Sequence, residues 1–371
     1  MRQRSKNNTI KIGISHGDIN GIGYEVILKT LQDPRILEMC TPIIYGSPKV
    51  AAYHRKALNI NDVSLNHIRS AKEAFQKKAN IINCVDEQIR VELGKSTEEA
   101  GISSYNALEK ATTDLAEGQI DALITAPINK DNIQSENFKF PGHTEFLAQR
   151  FDAKNYAMLM VSETMKVGVV TTHIPISQVA QSLSKEAILS KIRIINKSLQ
   201  QDFSITRPRI AVFGLNPHAG DNGLIGKEEK EIILPAIIQA KKEGIIAIGP
   251  YPADGFFGSD DYRKFDAILA MYHDQGLIPF KLASFDRGVN YTAGLPVIRT
   301  SPAHGTAYSL AGEDKASPES FRQALYLAID IYKNRNIYDE ISKNPLRKYE
   351  INPNQVDESV DIEASENEET L

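Results

Sequence analysis

Three histidines sit in loops of a kind that aims a side chain. His173 lies in "TTHIP", His218 in "LNPHAGDNG" and His273 in "MYHDQG", each just past an apolar, strand-like run and each near proline or glycine. A neutral imidazole is the commonest metal-ligating side chain, and three on one ion leave positions open for a substrate. Any one of them alone reads as a hydrogen-bonded structural residue, so the argument rests on their recurrence at equivalent places. Ligand sites of open α/β sheets lie beyond the carboxyl ends of the strands, where these loops belong. The set suits Zn²⁺ or Co²⁺, whereas Mg²⁺ prefers oxygen and would need Asp274 or substrate oxygens to complete its shell. Asp274, next to His273, has three readings: an acceptor that orients the ring, a proton acceptor in a reaction, or the N-cap of a following helix. His54 and His67 read as surface residues, and pattern alone decides nothing about His16 and His304.

A second group of residues suits an anion. "FPGHTEFLAQRF" puts His143 and Thr144 at the opening of a helical segment, where free N–H groups and the helix dipole favour phosphate or carboxylate. Plain capping by Thr144, with Glu145 in the first turn, accounts for it equally well. Lys281, Asn290 and Arg299 recur at intervals of nine residues and offer a point charge, an amide and a guanidinium fork to a phosphorylated acid. Solvated surface charge is the ordinary reading of a Lys and an Arg, but Arg299 sits in the strand-like "LPVIRT". "HGDINGIGYE" follows a strand and opens a helix, yet it runs Gly-x-x-x-Gly-x-Gly and lacks the order of a dinucleotide fingerprint. It predicts a tight turn with Asp18 at the bend. "SPAHGTAYSLAGEDKASPESFRQAL" is a loop leading into a helix, able to hold part of a cofactor by its main chain or simply to connect two elements.

The elements that must position these residues alternate. "IKIGIS", "PIIYG", "DALITAP", "MKVGVVTTHIP", "RIAVFGLNPHAG" and "DAILAMYHDQG" read as strands, and helical stretches such as "SPKVAAYHRKAL", "SQVAQSLSKEAILSKIRIINKSLQQ" and "GKEEKEIILPAIIQAKKEG" stand between them. That grammar predicts α/β layers around a largely parallel sheet. With 371 residues the chain can build two domains or one large unit. A net charge of -4 gives no field that attracts nucleic acid. Cys40 and Cys84 are too few for a disulfide framework and lack CxxC spacing, which fits a reducing compartment. No apolar run approaches the roughly 20 residues of a membrane span, and the basic start "MRQRSKNNTIKIGIS" lacks the apolar region of a signal peptide. A cytoplasmic protein is therefore expected. From about Asn352 the acidic "PNQVDESVDIEASENEETL" reads as a solvated, disordered extension.

From about Ile12 to about Leu325 the ordered blocks "GDINGIGYE", "DALITAPINK", "GHTEFLA", "TTHIP", "GLNPHAGDNGLIGKEE", "GPYPADGFF", "AMYHDQGLIPFK", "GVNYTAGLPVIRTSPAHGTA" and "SLAG" resemble the 4-hydroxythreonine-4-phosphate dehydrogenase (PdxA) family. The resemblance implies a two-domain α/β fold similar to the isocitrate and isopropylmalate dehydrogenases, with a cleft between the domains and no standard Rossmann fold. The division expected is 1–140 plus 300–351 for the first domain, 141–299 for the second, which carries the metal ligands, and 352–371 for the acidic tail. It implies His173, His218 and His273 as ligands of a divalent metal (Zn, Co or Mg), and His143, Thr144, Lys281, Asn290 and Arg299 as substrate contacts. NAD or NADP would lie beside His304, Gly305, Thr306 and Gly312, in a homodimer whose active site draws on both chains.

The implied reaction oxidises 4-phosphohydroxy-L-threonine to 2-amino-3-oxo-4-phosphooxybutanoate, which loses CO₂ to give 3-amino-2-oxopropyl phosphate. Asp274, Lys281 and Asp254 are the candidates for proton transfer. The same chemistry on D-threonate or D-erythronate 4-phosphate is the alternative. A metallohydrolase of a phosphorylated metabolite and a catalytically idle phosphate-binding protein are rivals of other classes. One block departs from the family pattern: Ile19-Asn20 stands where Pro-Ala is usual, and Tyr24 where proline usually precedes Glu25.

Overall fold

The structure, a computed structural model, describes residues 9–86 and 88–344; the expected acidic tail, 352–371, lies outside the described residues. The strands are β1 (Ile10–Ser15), β2 (Cys40–Gly46), β3 (Leu65–Ile68), β4 (Ala79–Asn83), β5 (Ala122–Thr125), β6 (Ala157–Val161), β7 (Lys166–Val169), β8 (Arg209–Phe213), β9 (Ile246–Tyr251), β10 (Ala267–Ala270), β11 (Val289–Ala293) and β12 (Arg299–Pro302). They form one sheet in the order β3-β4-β2-β1-β5-β12-β11-β6-β7-β10-β8-β9. Pairing is parallel except at β12–β11, β11–β6 and β6–β7. Central strands such as β2, buried along its whole length, read as continuous apolar runs because helices cover both faces.

The helices start where short polar side chains replace missing backbone partners. The Ser47, Thr97 and Ser184 hydroxyls accept from the backbone N–H groups of Val50, Ala100 and Ala187, opening the helices Pro48–Ala57, Glu98–Ala116 and Lys185–Gln201. Ser184 also ends the expectation of one helix through "SQVAQSLSKEAILSKIRIINKSLQQ": a short turn, Val179–Ser182, precedes it and the chain is extended at Leu183. The expected helix in "GKEEKEIILPAIIQAKKEG" likewise divides into a π-helical turn, Glu229–Ile233, and the helix Leu234–Lys242.

The first six strands in sheet order come from residues 10–125 and 299–302, and the last six from 157–293. Their junction is the antiparallel pair β12–β11, where Tyr291 faces Thr300 and Asn290 faces Ser301. Strand alternation sends neighbouring side chains to opposite faces. Tyr291 is buried, donating to Asp202 Oδ2 at 2.6 Å, while Arg335 Nε donates to Asp202 Oδ1 at 2.7 Å. This network ties β11 to the helices Lys185–Gln201 and Glu319–Ile341 and leaves Asn290 to face a cleft.

His54 is not a surface residue. It is 2 % exposed and stacks on Tyr24, which stacks in turn on the buried His16, with ring centroids 5.2 Å apart at both contacts. The amphipathic helix Pro48–Ala57 turns His54 inward, where its Nε2 lies 2.9 Å from the Ile19 carbonyl. His67 is exposed, as expected. Burial pushes the imidazole pKa down to about 4 for His54 and about 3 for His16. The unfolded chain therefore takes up protons near pH 6.5 that the folded chain refuses, so this contribution is complete above pH 6.5 and lost as pH falls toward 4. His54→Gln, whose amide can still donate to Ile19, should reduce the slope of unfolding free energy against pH by about 1.4 kcal/mol per unit between pH 6 and 4.5. Urea denaturation at a series of pH values measures it, and an unchanged slope would contradict the assignment.

Candidate functional site

A cleft of 280 Å³ opens at the junction of the two halves of the sheet. One end suits an anion. Arg299 begins β12 and is 2 % exposed; its Nε and Nη2 donate to Thr125 Oγ1 at 3.0 and 2.7 Å, while Nη1 is buried with no partner. Burial lowers its pKa to about 10, against the opposing field of Glu145, so the guanidinium stays charged at neutral pH. Asn290 Oδ1 and His143 Nε2 are also buried and unpartnered. Such atoms are rare in a folded protein and call for a ligand or water.

His143 opens the helix His143–Arg150, whose N-cap is Gly142. Thr144 makes no capping bond; its hydroxyl lies 3.4 Å from that of Thr292 on β11. Burial, reinforced by the charges of Arg299 and Lys130, holds His143 well below the ordinary imidazole range and hence neutral. Lys281 lines the same cleft. Sequence reasoning missed Lys130, a further cation on its wall; the signal was present in "TAPINK", where a lysine follows the end of β5.

The other end carries imidazoles. His173 follows β7 and His273 is the first residue of the helix His273–Ser284; their ring centroids lie 6.1 Å apart. His273 Nδ1 is 2.7 Å from Asp274 Oδ1, an arrangement that fixes the ring and leaves Nε2 as the nitrogen with a lone pair. The N-cap is Tyr272, without a side-chain bond, so Asp274 does not cap the helix. Burial, then the charge of Lys130, lowers the pKa of His173, which favours the neutral form a metal would need.

The structure does not bring His218 to this cleft. Among the described residues, no three His, Cys, Asp or Glu side chains of one chain gather closely enough to hold a metal ion. His218 lies in the turn Pro217–Gly223, where residues 218–223 all have positive φ. A left-handed conformation costs an L-residue about 1–2 kcal/mol. Asn, Asp and His visit this region more readily than other L-residues, so Ala219 carries the most strain. Asp254, in the first turn of Ala253–Gly258, is also off the cleft wall.

Of the residues expected at a cofactor, His304 and Gly305 line the cleft and Thr306 and Gly312 do not. His304 Nε2 is buried and unpartnered, with Nδ1 3.1 Å from the Gly305 carbonyl. Nothing stands within 4 Å of where a Cβ on Gly305 would be. The Thr306 carbonyl accepts from Ile22 N–H at 3.0 Å, an approach that only glycine at position 21 allows. Asp18, fully buried at the bend, accepts from Tyr308 Oη at 2.7 Å and Asn132 Nδ2 at 2.8 Å. The glycine-rich block thus anchors the 304–312 loop instead of embracing a pyrophosphate itself.

An open α/β sheet whose cleft joins a half-satisfied buried guanidinium to a pair of imidazoles defines a protein that binds a small anionic metabolite. The sequence model of the family described as "Pyridoxal phosphate biosynthetic protein PdxA" matches residues 38–328, and the chain belongs to that family. A protein of Bacteroides thetaiotaomicron named 4-hydroxythreonine-4-phosphate dehydrogenase is 55 % identical over 342 residues, 92 % of this chain and 94 % of the relative. One from Oceanobacillus iheyensis, provisionally named a D-threonate 4-phosphate dehydrogenase, is 39 % identical over 324 residues, 86 % of this chain and 97 % of the relative. The crystal structure of 4-hydroxythreonine-4-phosphate dehydrogenase from Klebsiella pneumoniae is 36 % identical, superposes with a TM-score of 0.77 and covers 88 % of this chain and 99 % of that one.

Replacing Arg299 by methionine should move binding and stability in opposite directions. Losing a charge-assisted hydrogen bond costs about 1.5–3 kcal/mol, roughly a ten- to hundredfold loss of affinity for an anionic ligand. Removing a buried, half-satisfied cation should leave the ligand-free protein at least as stable in urea. A variant that lost stability and kept its anion affinity would reverse this account.

Proposed function

We propose that this chain oxidises 4-phosphohydroxy-L-threonine with NAD or NADP and releases 3-amino-2-oxopropyl phosphate after loss of CO₂. The observation that carries this reading is the unpartnered Nη1 of the buried Arg299, a cation that awaits an oxyanion in the same cleft as the His173 and His273 imidazoles. Arg299 with Asn290, His143 and Thr144 would seat the phosphate, and Lys281 would hold a proton at Nζ for the carbon from which CO₂ departs. Lys130 adds positive charge between the two ends, complementary to the substrate carboxylate. Asp274 acts through His273, whose tautomer it sets; Asp254 has no comparable support.

The donor chemistry fits a divalent first-row cation, held by His173 and His273 with His218 of a second copy completing the set. Such an ion would supply positive charge to the substrate oxygens as oxidation and carboxylate loss proceed. The nicotinamide would accept the hydride, and the unpartnered His304 Nε2 and the open space at Gly305 suit a cofactor there. The order of the strands supports division into 1–140 plus 300–351 and 141–299, with the cleft between. No helix among the described residues is long and apolar enough to cross a membrane, and we read the enzyme as cytoplasmic.

The homodimer is supported by an apolar stripe beside the site. On the helix that starts at His273, Ile278, Leu282 and Phe285 are 65 %, 88 % and 68 % exposed and share one helical face. Leu224, six residues after His218, is also 81 % exposed. A contiguous apolar patch of this kind marks an interface, and a second copy is the occupant that also brings a third imidazole. Leu282→Glu should shift the protein toward monomer in size-exclusion chromatography with light scattering and lower its bound metal; a metal-replete monomer would refute a shared centre.

Oxidation of a sugar-acid phosphate is the second reading, favoured by the Oceanobacillus relative. Absorbance of reduced nicotinamide, followed with both substrates and both nicotinamides with and without a chelator, separates the two. Phosphate release without any nicotinamide would sink both in favour of hydrolysis.

A further inference from the structure

Beside the six left-handed residues after Pro217 lies one buried carboxylate, closely approached by the Gly220 backbone. Glu229, 6 % exposed, accepts through Oε1 from the backbone N–H groups of Leu215 at 2.8 Å and Asn216 at 2.7 Å, and through Oε2 from Asn216 Nδ2 at 3.0 Å. Two glycines make room for it. A Cβ on Gly214 would lie 3.1 Å from Oε1, and one on Gly220 would lie 2.5 Å from Oε2. Glu228 supports the same amide, its Oε2 accepting from Asn216 Nδ2 at 2.8 Å. The carboxylate is carried by the π-helical turn Glu229–Ile233, which interrupts the approach to the helix Leu234–Lys242. Inserted π turns of this kind frequently occur at functional sites.

We propose that Glu229 is the positioning residue for His218: its carboxylate gathers the peptide groups of Leu215 and Asn216 and the amide of Asn216, and so holds the left-handed turn that presents the His218 imidazole outside its own chain's cleft. This rests on the reading of His218 as a ligand supplied to a second copy. The turn is strained, most of all at Ala219, and needs an external anchor. All the donors that meet Glu229 precede His218 by two or three residues, so their loss would let the turn relax without touching the ligand itself. Glutamine at this position is nearly the same size. It keeps one carbonyl for the two backbone donors, but its amide would meet the amide of Asn216 donor to donor.

The test uses the full-length protein stripped of metal and titrated with Co²⁺, whose visible absorption reports affinity and coordination. His218→Ala should weaken Co²⁺ binding at least a hundredfold and Glu229→Gln about tenfold with an altered spectrum, while urea denaturation shows both folded. Asn216→Ala should resemble Glu229→Gln, and it carries the test if the Glu229 variant fails to fold. Tight, spectrally normal Co²⁺ binding by Glu229→Gln or Asn216→Ala, alongside its loss in His218→Ala, would overturn the positioning role alone. Unchanged binding by His218→Ala would overturn the shared-centre reading and this inference with it.

Discussion

A guanidinium buried without a carboxylate is the constraint around which this protein is arranged. Arg299, on the cleft wall, has a single hydroxyl, that of Thr125, for two of its nitrogens, and the third is buried without a partner. An isolated charge in a protein interior is costly, so the surroundings must hold it in place until an anion arrives. They do so by position in the sheet. β12 lies between β5, which brings Thr125, and β11, which brings Asn290. Burial keeps His143 neutral, and the same cation, with Lys130, reinforces it. A neutral ring can offer either nitrogen to a phosphate oxygen or a water, whereas a third fixed charge would raise the cost of the empty cleft.

The remaining site residues are held by local devices that do not depend on one another. Asp274 sets the ring of its neighbour His273. Asp18 ties the first turn of the chain to the 304–312 loop through Tyr308 and to the segment after Lys130 through Asn132. Asp202 locks β11 through Tyr291 and draws in the helix Glu319–Ile341 through Arg335. Asp18 and Asp202 are buried carboxylates meeting several donors, and such satisfied networks rigidify the structure around them, whereas Asp274 is exposed and acts on its neighbour alone. The cleft is consequently assembled from segments far apart in the chain, with their relative placement set by polar contacts beneath the surface.

Much of this was legible in the sequence. The alternation of apolar runs and helical periods predicted the α/β class, and the loops after β7 and β10 did place His173 and His273 together. The strand context of Arg299 flagged its burial. His54 was misread because a histidine among lysines and arginines looks solvated, and only the helical phase of Pro48–Ala57 against the core turns it inward. The separation of His218 from the cleft could not be read either. Strand-end loops look equivalent in sequence, but a run of left-handed residues changes the direction of the chain in a way that "PHAGDNG" announces only through its Gly, Asp and Asn content. Glu229 escaped notice for the same reason, since a carboxylate in a charged helical stretch reads as solvated until the turn it anchors is seen.

The stack of His16, Tyr24 and His54 has a consequence for which positions can be changed alone. A Cβ on Gly46 would stand 2.3 Å from the Tyr24 hydroxyl and 2.8 Å from the His16 ring. Position 46 is consequently not free to drift while Tyr24 stays. Tyr24 needs the bare backbone opposite it, so a side chain introduced at position 46 would force the stack to shift. Transferring the tyrosine alone onto a protein with a side chain at that position would meet the same collision, whereas the glycine transferred alone would not.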